Sequence, residues 1–543
     1  MSMLSYQEHT LNFTRYSPIV GGSSMTFERA AGILLHPTSL HGRYGIGDLG
    51  SEAYQFVDWL QAAGARLWQI LPLGPTGYGD SPYQCFSAFA GNHMLISPDY
   101  LARINLLAEW DLEQLTHLPA EAVDFGAVIP AKLQLLRTAF ENFKAQADDR
   151  GFRAFCVAEQ AWLDDYALFM ACKAAHGGAS WTTWDQAIAL HEPAAISEWG
   201  NKLADDVQFH KFLQWAFFSQ WDALKHYANE RDIKIVGDIP IFVAHDSADV
   251  WANRSLFLLH PDGNPVDIAG VPPDYFSATG QRWGNPLYRW DVMAQDGYQW
   301  WQQRISASLR TVDIVRVDHF RGFAGYWAVP ASEETAVNGE WRRGPGADFF
   351  QAISHAFGSL PLIAEDLGMI TPDVYQLRDQ FALPGMRILQ FAFTSGAFQS
   401  NFLPHTYVQN TVAYTGSHDN DTSRGWYTSA GPEEQHRART YLYCGEDAIV
   451  WTMIRTLYAS VADTVIIPMQ DALDLGSEAR MNRPGYTGGN WAWRIKPDQL
   501  SYDLARSLYG LAEVYGRLAQ PAISNELDPN APPYFDLQET SEL

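Results

Sequence analysis

Residues 313–318 read DIVRVD and residues 361–366 read PLIAED, two short apolar runs that each end in acidic residues. Similar apolar runs, most of them closed by polar residues, recur at 33–37, 67–72, 233–238, 386–393, 411–419 and 464–471. Continuous apolar runs of this length are typical of strands that are buried on both faces, as in a parallel sheet. The sequence therefore predicts eight parallel strands.

Helical patterns lie between several of these runs. After Ser51, a favourable N-cap residue, apolar residues follow at helical spacing up to Gly64, a typical stop signal. Residues 206–229 show the same spacing. Eight strands that alternate with helices predict an α/β fold, a (β/α)8 TIM barrel. In such a barrel the functional side chains lie at the carboxyl ends of the strands.

Some stretches do not fit a simple barrel, so we divide the chain further. Residues 100–205 are rich in Ala, Leu and Trp and predict a large helical insertion between the second and third strands. Residues 245–290 and 321–350 are rich in Pro, Gly and aromatic residues and predict long loops over the barrel mouth. The predicted organisation is a flexible extension at 1–26, strands one and two at 27–99, the insertion at 100–205, strands three to eight at 206–520, and a tail at 521–543.

The charge balance bounds the kinds of partner. With 62 acidic and 37 basic residues the net charge is −25, and no basic stripe is present, which argues against nucleic acid and anionic membranes. No run reaches the about 18 apolar residues that a membrane-spanning helix needs. The N-terminal residues lack the basic and apolar regions of a secretory signal, so we expect a cytoplasmic protein.

Cysteine and histidine spacing gives no sign of a bound group. The four cysteines include no CxxC pair and are too few for a disulfide framework in so long a chain. The histidines show no HExxH or other metal-ligand spacing. We therefore expect reduced thiols, no metal and no cofactor.

Three acidic residues follow three of the predicted strands. Asp318 ends the fourth strand, Glu365 ends the fifth, and Asp419 follows the seventh. In a barrel all three would converge on one face. Cleavage of a glycosidic bond needs two carboxyl groups on either side of one anomeric carbon. Any one of these acids alone could be a helix cap or a loop charge, but their common placement predicts a carbohydrate-active site.

The surroundings of two of these acids predict different protonation states. Arg316 lies two positions before Asp318, so both side chains leave the same face of the strand. A cation at this position favours the ionised form of Asp318, as a nucleophile requires. Glu365 follows an apolar run, where partial desolvation would raise its pKa and suit a general acid.

Several longer segments carry a resemblance to a known family. They are 33–50 (ILLHPTSLHGRYGIGDLG), 81–92 (SPYQCFSAFAGN), 237–244 (GDIPIFVA), 270–286 (GVPPDYFSATGQRWGNP), 316–325 (RVDHFRGFAG), 364–368 (AEDLG), 417–422 (SHDNDT) and 480–494. Together they resemble the amylomaltases, or 4-α-glucanotransferases, of glycoside hydrolase family 77. Two departures are His41, where the family has Pro, and the extension at 1–26, which has no counterpart.

The resemblance implies a role for each candidate residue. Asp318 would be the nucleophile, Glu365 the general acid and base, and Asp419 a group that stabilises the transition state. The resemblance also implies contacts with the substrate or the nucleophile. Arg316, His418 and Asp238 would make such contacts, and Tyr83 would be an aromatic platform. A loop over the acceptor side would add Trp283, Phe276, Tyr275 and Asp274.

The activity that the resemblance implies is transfer of an α-1,4-glucan segment to the 4-hydroxyl of glucose or another glucan. The implied substrates are maltooligosaccharides and α-1,4-glucans from starch or glycogen, and the implied intermediate is a covalent glycosyl-enzyme. Two alternatives stay open: an α-amylase-type hydrolase with the same carboxylates, and a glucan-binding protein without catalysis. The oligomeric state, monomer or dimer, is open as well.

Overall fold

A computed structural model describes residues 27–146, 149–273, 277–394, 401–486 and 488–519. In these residues eight parallel strands close into a barrel, which confirms the predicted (β/α)8 fold. The strands are β1 (Ala30–Leu34), β2 (Leu67–Gln69), β3 (Lys234–Pro240), β4 (Asp267–Val271), β5 (Gln281–Pro286), β6 (Ile314–Asp318), β7 (Gly325–Pro330), β8 (Glu340–Arg343), β9 (Leu362–Ala364), β10 (Gly385–Ile388), β11 (Thr411–Tyr414) and β12 (Thr464–Pro468). Around the barrel the order is β1, β2, β3, β6, β9, β10, β11 and β12.

Several barrel strands differ in extent from the predicted runs, and β1 and β10 show why. β1 covers residues 30–34 instead of 33–37, because a 3-10 turn already begins at Pro37. β10 ends at Ile388, and residues 389–393 of the predicted run form a 3-10 helix. Most residues of that helix are buried. A buried apolar run does not by itself distinguish a strand from a helical turn, which explains the second difference.

Alternate residues of the barrel strands fill the interior. Val236, Ile314, Ile363, Met386 and Tyr414 belong to one buried cluster inside the barrel. Their neighbours along the strands point outward and pack against the helices. Because successive side chains of a strand point to opposite faces, residues two positions after an interior residue also face the interior. Because the strands are parallel, their polar carboxyl ends lie at one mouth of the barrel.

Nineteen α-helices accompany the strands in the described part of the chain, besides short 3-10 helices. They are α1 (Ser51–Ala62), α2 (Pro98–Arg103), α3 (Glu109–Glu113), α4 (Phe125–Lys144), α5 (Arg150–Ala158), α6 (Gln160–Ala175), α7 (Gln186–Ala189), α8 (Pro193–Lys202), α9 (Ala204–Asn229), α10 (Ala248–Ala252), α11 (Trp290–Met293), α12 (Gln299–Thr311), α13 (Gly346–Phe357), α14 (Pro372–Gln380), α15 (Ser423–Ser429), α16 (Pro432–Leu442), α17 (Ile449–Ala459), α18 (Met469–Ala472) and α19 (Tyr502–Val514). Among the described residues, no helix is long and apolar enough to cross a lipid bilayer.

The chain between β2 and β3 is helical, with eight helices from α2 to α9. This is the large helical insertion that the sequence predicts, although the division into subdomains at 100 and 205 stays a prediction. α1 begins at Ser51, so its N-cap residue is Gly50 and not Ser51. The carboxylate of Asp48 accepts the backbone N–H of Gly50 at 2.8 Å, so an upstream acid binds the N-cap backbone. The predicted extension and tail lie outside the described residues.

The two segments predicted as loops over the barrel mouth also contain strands. β4, β5, β7 and β8 form a four-stranded antiparallel sheet in the order β5, β4, β7, β8. These strands are short, and three of them contain Gly or Pro, so their alternating pattern is weak in the sequence. The sheet places β5, and with it Trp283, beside the end of β6.

Candidate active site

The centre of the site is the guanidinium of Arg316 in β6. β3 and β6 pair in parallel register, with Asp238 opposite Arg316. One terminal nitrogen of Arg316 lies 2.5 Å from Oδ2 of Asp238, and the other lies 2.8 Å from Oδ1 of Asp318. Arg316 and Asp238 are buried, whereas the Asp318 side chain is 29% exposed. The guanidinium thus uses separate nitrogens to hold two carboxylates, and only Asp318 reaches the solvent.

Glu365 lies beside Asp318 at the end of the neighbouring strand. The β6–β9 register pairs Arg316 with Ile363 and Val317 with Ala364, so Asp318 and Glu365 are the next residues in line. Oε2 of Glu365 accepts the backbone N–H of His319 at 2.7 Å, and Oε1 accepts that of Leu367 at 2.7 Å. Two strand ends therefore bring these two carboxyl groups together, as the sequence predicts.

Burial sets the proton affinity of Glu365. Burial and the negative charge of Asp318 raise its pKa to about 8, although Arg316 and the two backbone N–H groups oppose the rise. The direction agrees with the sequence-based expectation for a general acid. A carboxyl group that keeps its proton near neutral pH can donate it to a leaving oxygen.

Asp419 lies in the loop after β11 and is held by residues from a distant part of the chain. Nδ2 of Asn482 donates to Oδ1 of Asp419 at 2.7 Å, and Arg480 donates to the Asp419 backbone carbonyl at 2.7 Å. Nε2 of His418 lies 3.5 Å from the same Oδ1. Half of the Asp419 side chain is exposed, so it is available to a ligand.

Tyr83 contacts both His418, the residue before Asp419, and Asp238, the carboxylate that Arg316 binds. Its ring stacks on the His418 ring, with 5.0 Å between centroids and 18° between planes. Its hydroxyl donates to Oδ2 of Asp238 at 2.9 Å, the same oxygen that Arg316 contacts. Trp491 contacts both rings at 6.0 Å. The orientation of the Tyr83 ring is therefore fixed from three sides.

Trp283 contacts His319, the residue that follows Asp318 in the chain. The two rings meet edge to face, with 4.8 Å between centroids. His319 has a left-handed backbone with φ of 55°, an uncommon conformation for a residue other than glycine. This conformation accompanies the hydrogen bond from its N–H to Glu365. Of the predicted loop contacts, Asp274, Tyr275 and Phe276 lie outside the described residues.

The contacts join the predicted residues Asp238, Arg316, Asp318, Tyr83 and His418 into one network, and Glu365, Asp419 and Trp283 border it. Asn482, Arg480 and Trp491 belong to the same site but were not singled out from the sequence; the resemblance of segment 480–494 was the signal that could have found them. No group of His, Cys, Asp and Glu side chains within the described ranges has an arrangement that could hold a metal ion.

Comparison with known proteins gives a consistent result. The model of the glycoside hydrolase family 77, described as 4-alpha-glucanotransferase, matches residues 35–501. The 4-alpha-glucanotransferase of Synechocystis is 51% identical over 500 residues, which cover 91% of this chain and 99% of that protein. The one from Thermus thermophilus is 50% identical over 507 residues, 91% of this chain and all of that protein.

The fold agrees with these relatives. The structure of an amylomaltase from Streptococcus agalactiae in complex with acarbose superposes with a TM-score of 0.89 at 40% identity. The match covers 91% of this chain and 100% of that chain. The family match and the two relatives, each about half identical to this chain, agree with the carboxylate pair at the barrel mouth. The chain therefore belongs to glycoside hydrolase family 77, the 4-alpha-glucanotransferases, and is a transferase enzyme.

Proposed function

We propose that this enzyme transfers α-1,4-glucan segments by a double displacement, with Asp318 as nucleophile and Glu365 as general acid and base. The observation that carries the proposal is the pairing of two adjacent strand-end carboxyl groups in opposite environments. Arg316 contacts Asp318 directly, at 2.8 Å. Burial raises the pKa of Glu365 to about 8. One group can attack as a carboxylate while the other still holds a proton.

In the first step the ionised Asp318 attacks the anomeric carbon of the donor glucan. A bond forms between the aspartate oxygen and this carbon, and the bond to the glycosidic oxygen breaks. Glu365 gives its proton to the departing oxygen, which leaves as the 4-hydroxyl of the released fragment. The products are a glycosyl ester on Asp318 and an ionised Glu365.

In the second step an acceptor sugar enters the place that the released fragment has left. Glu365, now a carboxylate, takes the proton from the acceptor 4-hydroxyl, and the acceptor oxygen attacks the anomeric carbon. The ester to Asp318 breaks, and both carboxyl groups return to their first state. Two inversions at one carbon keep the α configuration. The backbone N–H groups of His319 and Leu367 support the carboxylate form of Glu365 between the steps.

Asp419, His418 and Tyr83 serve the sugar whose bond is broken. Tyr83 offers an aromatic face whose orientation the His418 ring and the Asp238 carboxylate fix. Asp419 is fixed by Asn482 and half exposed, so its charge can face the positive charge that develops at the anomeric centre. His418, stacked on Tyr83, can bond the hydroxyl groups of this sugar.

Transfer instead of hydrolysis requires that a sugar and not water attacks the ester. The Trp283 ring contacts His319, whose backbone N–H binds Glu365. An indole at this place can stack on an acceptor sugar and displace water. The related amylomaltase was solved with acarbose. Maltooligosaccharides and α-1,4-glucan chains are the substrates that this arrangement and the family support.

The product profile on maltotriose tests the proposal. A transferase should release glucose and build a ladder of longer oligosaccharides, with little gain in reducing ends. A gain of one reducing end for each bond that is cleaved would identify a hydrolase of the α-amylase type. No reaction at all, from a folded protein, would favour the glucan-binding alternative. Asp318→Asn is the control and should give neither product.

A further inference from the structure

The segment from Thr415 to Ser423, here called the β11 loop, carries His418 and Asp419 and leads from β11 into α15. Both ends of the β11 loop contact one carboxylate, that of Asp471 in α18. Oγ1 of Thr415 donates to Oδ2 of Asp471 at 2.5 Å. The backbone N–H of Ser423 donates to Oδ1 at 2.6 Å, and the Ser423 hydroxyl donates to Oδ2 at 2.7 Å.

Asp471 is an unusual residue for this place, because it is buried without a cation. It is 1% exposed, and Thr415 and Ser423 are fully buried. Among the described residues no Lys, Arg or His forms an ion pair with it. Burial raises the pKa of Asp471, and the three donated hydrogen bonds oppose the rise. A buried carboxylate is costly unless donors satisfy it, so its partners account for its presence.

Other contacts of the β11 loop come from several elements: Asn482 and Arg480 bind Asp419, Ser477 binds Asp421, and Tyr83 stacks on His418. Oδ1 of Asn420 accepts from the N–H and the hydroxyl of Ser417, which forms a tight turn around His418 and Asp419. Nε2 of Gln390 donates to the carbonyl of Asp421 at 3.0 Å. These bonds shape the turn. Two residues contact both ends of the turn. Gln390 does so with its backbone N–H, which donates to the Thr415 carbonyl at 3.2 Å, and with Nε2, which donates to the Ser423 hydroxyl at 3.2 Å. Asp471 is the charged one of the two and makes three shorter hydrogen bonds.

We propose that Asp471 is a positioning residue for catalysis: its carboxylate fixes both ends of the β11 loop and so aims Asp419 and His418 at the sugar. This inference rests on the proposed role of Asp419. A shift of the loop by a fraction of an ångström would weaken contacts that form fully only in the transition state. The effect should therefore fall on kcat more than on KM.

Asp474 offers a matched control in the same short segment. Its carboxylate binds Arg424 of α15 at 2.8 and 2.7 Å, so it also anchors α15 but does not contact the β11 loop. It has a left-handed backbone with φ of 54°, which asparagine tolerates well. Asp474→Asn should leave kcat close to the wild-type value. The thermal unfolding of each variant, followed by circular dichroism, separates loss of fold from loss of function.

Asp471→Asn keeps the size of the side chain but removes the charge and turns one acceptor into a donor. With maltotriose as substrate we expect kcat to fall about 10- to 100-fold, the range for a small displacement of reacting groups, with KM nearly unchanged. Thr415→Val, which removes a single hydrogen bond, should give a smaller loss of the same kind and serves if Asp471→Asn does not fold. Unchanged kcat in folded Asp471→Asn would overturn the proposal.

A double-mutant cycle with Asp419→Asn decides whether Asp471 acts through Asp419. Fluoride release from α-maltosyl fluoride in the presence of glucose follows the slow variants. If Asp471 only positions Asp419, then Asp471→Asn should cost little more once Asp419 is replaced. Losses that simply multiply would overturn the positioning role and leave the proposed function intact. A fully active Asp419→Asn would instead contradict the role of Asp419 in the proposed function.

Discussion

The backbone N–H of His319 donates a 2.7 Å hydrogen bond to Oε2 of Glu365, so the residue next to Asp318 in the chain holds the neighbouring carboxyl group. The left-handed backbone of His319, with φ of 55°, accompanies this bond. The two groups that the proposed mechanism uses are thus linked by one residue of main chain. The backbone beside Asp318 therefore holds the Glu365 carboxyl group, while the Arg316 side chain holds Asp318 itself.

Replacement of Glu365 by Gln should separate the two roles of this residue. With maltotriose, transfer should fall at least about a hundredfold, because no acid protonates the leaving oxygen. With α-maltosyl fluoride the first step should stay fast, since fluoride leaves without a proton. Comparison of the first-turnover burst of fluoride with the first-turnover release of glucose measures this difference, because the second step is slow for both donors. Equal losses on both donors would contradict an acid role for Glu365.

The raised pKa of Glu365 also predicts the pH dependence of activity and stability. Wild-type kcat/KM should fall as the pH rises through about 8, where Glu365 loses its proton. The folded state binds this proton more tightly than the unfolded chain. Its stabilising effect is therefore complete below the unfolded pKa and is lost as the pH rises through about 8.

Glu365→Gln cannot titrate, so its Tm relative to wild type should increase between pH 5 and pH 8.5, as measured by scanning calorimetry. Glu113→Gln, at an exposed position in α3, is the control and should show no such trend. A constant difference in Tm for Glu365→Gln across this pH range would contradict the raised pKa.

Arg316→Lys should show that activity requires a side chain that contacts both Asp238 and Asp318, and not only a positive charge. A lysine carries a single ammonium and cannot hold two carboxylates in the fork geometry of a guanidinium. We expect kcat for maltotriose to fall about a hundredfold, because the nucleophile loses its fixed position. Arg387→Lys is the control: Arg387 is also buried but contacts the single carboxylate of Asp366, at 3.2 Å. Equal effects of both substitutions would argue against a requirement for contact with both carboxylates.

Trp283→Ala should shift the balance from transfer towards hydrolysis. Loss of an aromatic face that stacks on the acceptor costs about 1 kcal/mol or more, so the ratio of transfer to hydrolysis should fall about fivefold or more. The ratio is read from the ladder of oligosaccharides and the gain in reducing ends. Trp327→Ala, in β7 of the same four-stranded sheet, is the control. An unchanged ratio in Trp283→Ala would remove this residue from the acceptor site.

The sequence predicted the parts of the molecule that depend on local pattern. The eight barrel strands follow from continuous apolar runs, and Asp318 and Glu365 follow from the rule that barrel strands end at the active site. The pairing of Arg316 with Asp318 follows from their spacing of two residues. Each of these features depends on a few residues that are neighbours in the sequence.

Features that depend on distant contacts could not be predicted in this way. Asn482 holds Asp419 across 63 residues of chain, and Asp471 holds Ser423 across 48. The sheet of β4, β5, β7 and β8 was predicted as loops, because three of its short strands contain Gly or Pro. The sequence placed Asp238 in the pocket but did not predict the hydrogen bond that it accepts from the Tyr83 hydroxyl, because the two residues lie 155 positions apart.

The residue that carries the covalent glycosyl group decides whether Asp318 is the nucleophile. Glu365→Gln should form the glycosyl ester from α-maltosyl fluoride quickly and release it slowly, because no base activates the acceptor. After an acid quench and digestion, mass spectrometry should find a maltosyl group on Asp318. A maltosyl group on another residue, or no adduct despite rapid fluoride release, would contradict the account.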